Sequence, residues 1–149
     1  MERVSVQPDW AGPIGETEAR LLIARTLVID SAWEAGLSVA QPLGAGMDRL
    51  VVYGRRGQAD PTWGARPVQV RVVETPVGAK GILAGAMPDG LQAAVDWGEE
   101  EGLYLLSFDE LLEWAEQGRG AGIPARYRAT GPRWRRFVAG TNLADQHEN

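Results

Sequence analysis

The 149-residue sequence has no cysteine and one histidine, which excludes disulfides and thiolate metal sites. His147 falls in a polar C-terminal tail, where neither a ligand nor a general base is expected. Any catalysis must therefore use carboxylates, amides, arginines or metal-bound water. Lysine is almost missing too, Lys80 standing alone beside fourteen arginines. No apolar run approaches the roughly 18 residues of a membrane span, and no charged-then-apolar leader opens the chain. Neither a span nor a signal peptide is expected, and the expected compartment is the cytoplasm.

What remains is ordinary in amount and uneven in placement. An apolar fraction of 44% suffices for one core, and chains of about 100–200 residues usually form a single domain. The formal charge of −5 argues against indiscriminate nucleic-acid binding. Acids gather at Glu99, Glu100 and Glu101 and at Asp109, Glu110, Glu113 and Glu116. Arg119, Arg126, Arg128, Arg133, Arg135 and Arg136 gather near the C-terminus. The arginine bias fits both a GC-rich genome and a phosphate surface.

Prolines and glycines make 1–15 an irregular arm. Over 16–35, Ala19, Leu22, Ile23, Thr26, Leu27, Ile29 and Trp33 recur at three- and four-residue intervals, the period of an amphipathic helix. Glu16 and Glu18 suit its N-terminal dipole, and Gly36 suits a left-handed residue ending it, with Leu37 folding back. A short strand over 37–41 should form a hairpin with the strand opening at Met47 and Asp48, through the turn 43–46. Gly44-Ala45-Gly46 is not a phosphate loop, since no Gly-Lys-Ser/Thr follows. After a long connection, Pro67-Val68-Gln69-Val70-Arg71-Val72-Val73 alternates valine with polar residues. Val68, Val70 and Val72 should face one way, Gln69 and Arg71 the other. If the two strands pair, Asp48, Gln69 and Arg71 converge on one patch.

The segment 76–90 reads as loop, with room for one short strand. Strands follow over 91–97 and 103–106, joined by an acidic turn. Ser107 and Glu110 have capping-box spacing, opening a helix that ends at Gly118. A last short helix or strand fits 127–138, and the tail 140–149 is expected to be disordered. The order indicates an α/β or α+β sheet with helices on both sides.

This order, with Glu18 on the helix, Gly36-Leu37-Ser38-Val39 on the first strand, Asp48 heading the second and Gln69-Val70-Arg71 on the third, resembles the restriction-endonuclease-like PD-(D/E)XK nucleases over about 16–117. The resemblance implies one α/β domain over 16–139, with a central mixed sheet of about five strands flanked by helices. It implies catalytic positions at Asp48, Gln69, Arg71 and Glu18, and Mg²⁺ between Asp48, Gln69 and the Val70 carbonyl. Gln69 replaces the family's carboxylate and Arg71 its lysine. A neutral amide weakens a hard-cation site, and an arginine fits a different geometry and cannot shed its proton. Two readings follow: residual phosphodiester hydrolysis through metal-activated water, or a structural Asp48–Arg71 ion pair with Gln69 filling hydrogen bonds. Glu18 is either an accessory acid or a dipole partner.

Arg126, Arg128, Arg133, Arg135 and Arg136, interleaved with Tyr127, Trp134 and Phe137, either bind DNA phosphates while the rings stack on bases, or pair with the acidic helix. Trp33 and Trp97 are expected on core faces. Trp10, Trp63 and Trp134, in irregular stretches, are expected to anchor an interface, and so a homodimer is expected. The reading from a different class is a non-catalytic dimeric module that binds protein.

Overall fold

The structure, a computed structural model, describes residues 12–55, 64–74, 77–98, 102–117 and 122–139. Most of the expected arm, the tail, Trp10, Trp63 and the acids 99–101 lie outside the described residues. The first helix, α1 (Glu16–Glu34), ends as expected. Gly36 takes φ +85° and its N–H donates to the Trp33 carbonyl at 2.9 Å. Leu37 then folds under the helix into the core. Gly36→Ala has room for its methyl, because nothing lies within 4 Å of that position. The left-handed backbone remains costly, so a loss of about 1–2 kcal/mol is expected in urea unfolding.

The face that α1 buries differs from the expected one. Ala24, Val28 and Ala32, each four residues apart, pack on the sheet, with Leu21 and Ile29 beside them. Ile23, Leu27 and Trp33 point outward, 51%, 45% and 47% exposed. The helix is apolar around most of its girth, so spacing does not choose the side. Small side chains do, because they let the backbone approach the strands closely.

Five strands form one mixed sheet: β1 (Leu37–Ala40), β2 (Arg49–Arg55), β3 (Ala65–Val73), β4 (Leu91–Asp96) and β5 (Gly102–Leu106), in the order β1-β2-β3-β4-β5. Only β3 and β4 run parallel; the other neighbours are antiparallel. A parallel pair needs a crossover, and it contains α2 (Ala79–Leu83), inside the segment expected to be loop. A five-residue helix interrupted by Gly81 carries too little periodicity to be read. It is held by packing on α3 (Phe108–Gln117), as the shared cluster of Ile82 and Leu111 shows. The capping box of α3 forms: the Ser107 N–H donates to Glu110 Oε1 at 2.9 Å and the Glu110 N–H to Ser107 Oγ at 3.1 Å.

The chain then makes a 3₁₀ turn (Ala125–Tyr127) and α4 (Gly131–Ala139). Four helices thus flank a five-stranded α/β sheet. α1 and α4 cover one face, over Leu37, Leu50, Val68, Val70 and Leu105; α2 and α3 cover the other, over Ala94, Tyr104 and Leu106. Trp134 overturns its expected role. It is fully buried in α4, and its Nε1–H donates to Ser31 Oγ of α1 at 2.7 Å. Trp97 packs against the core, as expected. No described helix is long and apolar enough to cross a membrane.

Candidate functional site

The alternation along β3 sorts its side chains as read. Val68, Val70 and Val72 pack with the α1 cluster, while Gln69 and Arg71 turn to the α2 side. Because β2 starts at Arg49, opposite Gln69, the last residues of β3 outrun it. The final contact is the Val70 N–H to the Asp48 carbonyl at 2.7 Å. A cavity of about 290 Å³ opens beyond this point. Its lining comprises Thr17, Arg20 and Leu21 of α1, Asp48, and Gln69, Val70, Arg71 and Val72. Asp48, Gln69 and Arg71 do share one pocket.

Asp48 is placed by the β1–β2 turn. Arg25 of α1 donates to the Met47 carbonyl at 3.2 Å and to the Gln41 side chain, whose own amide reaches the Ala45 and Gly46 carbonyls. Its carboxylate pairs with the neighbouring Arg49, Nε to Oδ2 3.6 Å. The expected Asp48–Arg71 pair is not formed. Arg71 Nη1 donates to the Ile82 carbonyl at 2.7 Å and to Gln92 Oε1 at 2.8 Å, and Nη2 donates to the Ala84 carbonyl at 2.9 Å. Carbonyls at the end of a helix carry partial negative charge and lack intrahelical donors, so a planar guanidinium beside α2 fits them. Burial lowers the pKa of Arg71 from its ordinary value, and the charge of Asp48 opposes that shift.

Gln69 is equally committed. At 6% exposure, its Oε1 accepts from the Met87 N–H at 3.1 Å and from Gln92 Nε2 at 2.9 Å, while its Nε2 donates to the Gly85 carbonyl at 3.2 Å. Gln92, fully buried on β4, links Gln69 to Arg71. An arginine only donates, so Gln92 must present its oxygen to Arg71 and its amide to Gln69, and the network has one polarity. Both lone pairs of the Gln69 oxygen are used, which leaves none for a cation. Asp48 and the Val70 carbonyl would be the remaining donors of the expected Mg²⁺ set. One carboxylate already paired with Arg49 is a poor match for a hard divalent ion. Among the described residues no three histidine, aspartate or glutamate side chains gather for a metal.

Glu18 is exposed and is not part of the cavity wall. α1 presents Arg20 there instead, bridged to Glu16 at 3.1 Å and to Glu74, just past the end of β3, at 3.3 Å. Sequence reasoning missed Gln92 and Arg20. The one signal for Gln92 was a lone amide in the apolar strand Leu-Gln-Ala-Ala-Val-Asp.

The C-terminal arginines divide. Arg133 is half-buried against the sheet edge, where Nε and Nη2 donate to the Leu105 carbonyl at 3.0 and 2.6 Å and Nη2 meets Glu110 Oε1 at 2.6 Å. Arg136 reaches the other Glu110 oxygen at 3.7 Å. The pairing with the acidic helix is thus realised through one carboxylate. Arg135 turns away to the Ala35 carbonyl at 3.2 Å. Arg126, Arg128, Arg133 and Arg136, with Thr130 and Pro132, line a second cavity of about 300 Å³. The aromatic rings here are not free to stack on bases, since Tyr127, Trp134 and Phe137 are all buried.

Comparison with protein families, with curated proteins and with solved structures finds no match to this chain.

Proposed function

We propose that the chain is a nuclease-like α/β domain that associates with nucleic acid and has lost cleavage. The observation carrying this reading is the closed Gln69–Gln92–Arg71 network, in which the positions corresponding to the family's carboxylate and lysine hold neutral partners. Retention of Asp48 on the same cavity, and the order of one helix, three antiparallel strands and a parallel fourth, support kinship with the PD-(D/E)XK nucleases. The arginine-lined cavity supports binding. Lost catalysis with a retained scaffold is physically simple, because function lives in a site grafted on the fold and the fold does not require it.

The test is cleavage of branched, single- and double-stranded DNA with Mg²⁺ or Mn²⁺, comparing the wild type with Asp48→Ala. Both should give the same background rate while the wild type still shifts DNA in a binding assay. Metal-dependent cutting that Asp48→Ala abolishes overturns the reading. The second reading, a dimeric protein-binding module, is supported by the outward row of Ile23 and Leu27 on α1. Sedimentation of the wild type beside Leu27→Ser tests that row as a self-association surface.

A further inference from the structure

The second cavity is built differently from a surface that merely follows a nucleic-acid backbone. Phosphates succeed one another along a strand, so a tracking groove spreads its cations out and adds exposed rings for the bases. Here four guanidiniums open on one concavity at the start of α4, with the Thr130 hydroxyl and Pro132 completing the wall. Glu110 is the shared counter-ion of Arg133 and Arg136. Among the described residues no carboxylate pairs with Arg126 or Arg128, so four positive charges face one negative. That surplus sits on a chain whose net charge is −5.

The guanidiniums are also held in place before any ligand arrives. Arg126 lies 4.7 Å from the centre of the Tyr127 ring, Arg128 5.2 Å from Tyr104, and Arg136 5.1 Å from Phe137. Arg133 lies 4.8 Å from Phe137. Such separations are within the range of cation–π attraction, about 6 Å. Faces stacked on rings leave N–H edges directed sideways, the arrangement that binds oxyanions by paired charge-assisted hydrogen bonds. Arg133 is fixed by the Leu105 carbonyl, and Arg126 donates through Nη2 to the Tyr127 hydroxyl at 3.0 Å and to Gln117 Oε1 at 3.4 Å, while Arg126, Arg128 and Arg136 remain exposed to solvent.

We infer that this cavity binds a dianionic phosphate monoester, the phosphorylated end of a nucleic-acid strand. An internal diester presents one charge and must continue out of the cavity on both sides. A terminal phosphate presents two charges and three oxygens, which matches four guanidiniums gathered on one concavity. The inference rests on the nucleic-acid reading above and specifies which part of the strand is held. The same chemistry would also admit a free mononucleotide or inorganic phosphate, and the arms below separate these.

The experiment is fluorescence anisotropy at fixed salt with short oligothymidylates carrying a 5′-phosphate, a 3′-phosphate or only hydroxyl ends, the dye always on the opposite end. Thymidine monophosphate and inorganic phosphate serve as competitors. One phosphorylated end should bind roughly tenfold or more tighter than the hydroxyl-ended strand, since each added charge-assisted contact is worth about that factor. Arg126→Gln with Arg128→Gln should remove this preference while thermal unfolding stays at the wild-type midpoint, because both side chains are exposed. Arg136→Gln should reduce it without shifting the melt. Equal binding of phosphorylated and hydroxyl-ended strands overturns the inference and leaves the nucleic-acid reading standing. Competition by inorganic phosphate or the mononucleotide at the oligonucleotide's own affinity overturns it in favour of a small phosphate ligand. Absence of binding to every strand removes both.

Discussion

Trp134→Ala should unfold in urea with about 3–5 kcal/mol less stability than the wild type, the usual cost of emptying a large buried aromatic site. A domain of this size holds roughly 5–15 kcal/mol in total, so the variant would keep only part of its margin. The indole is fully buried where α4 meets α1 and the sheet, and its N–H is satisfied by Ser31 at 2.7 Å. Removing it loses both the apolar contact and the hydrogen bond from α4 to Ser31 of α1. Ser31→Ala isolates the second component: the indole N–H stays buried without an acceptor, which costs about 1–3 kcal/mol. Trp134→Phe should fall between the two. Far-ultraviolet circular dichroism through a urea series reads all three. Were Trp134 an interface anchor, the alanine variant would keep its unfolding midpoint and change its sedimentation instead.

That tryptophan also marks where the sequence stops being legible. The stretch around it holds Pro132 and four arginines, so its apolar spacing reduces to Trp134, Phe137 and Val138, too short a pattern to distinguish helix from irregular chain. Tertiary contact with α1 and β5 decides the matter. In α1 the ambiguity has the opposite cause. Both Ala24-Val28-Ala32 and Ile23-Leu27 follow helical spacing; size alone favours the second set for the core, whereas the first is buried because smaller side chains allow closer packing. The strands were easier, because Val68-Gln69-Val70-Arg71-Val72 has an unambiguous period of two and Pro42 and Gly36 mark clear boundaries. From that alternation, the common cavity of Asp48, Gln69 and Arg71 could be foreseen.

The partners within the cavity could not be foreseen. A salt bridge between Asp48 and Arg71 is the natural expectation for two opposite charges on adjacent strands. It fails because α2, invisible in the pattern, brings the Ile82 and Ala84 carbonyls to Arg71, and because Arg49 is the immediate neighbour of Asp48. Gln92 lies beside Gln69 in the parallel β3–β4 register. That pairing depends on a crossover whose course is set by the same short helix. Along β3 local pattern thus gives the face of each residue, and long-range packing chooses its partner.

Gln69→Glu puts this account at greatest risk, since it restores the carboxylate found in the family that the sequence resembles. An amide donates to the Gly85 carbonyl at 3.2 Å while accepting from Met87 and Gln92. A carboxylate can keep the two acceptor roles but sets a second negative oxygen against that carbonyl, in a place 6% exposed. Arg71 offers limited relief, because its guanidinium is bonded to Gln92 and not to this position. Desolvation and the facing carbonyl therefore raise the introduced group's pKa above the ordinary value of about 4.3. Protonated, it donates to Gly85 and the network closes again. The sign follows: the variant approaches wild-type stability below the unfolded-state pKa and loses stability as pH rises through the raised folded-state value. At neutral pH the deficit should be roughly 2–3 kcal/mol, the cost of a buried polar group set against a like partner. Urea midpoints of both proteins across acid to neutral pH, subtracted pairwise, measure it, and Mg²⁺ should leave the difference unchanged. If Mg²⁺ instead stabilises Gln69→Glu, as a ligand of the folded state does, and has no such effect once Asp48→Ala is added, the cavity is a metal centre lacking only its carboxylate. The closed amide network would then be a replaceable lining, and the case for lost cleavage would fail with it.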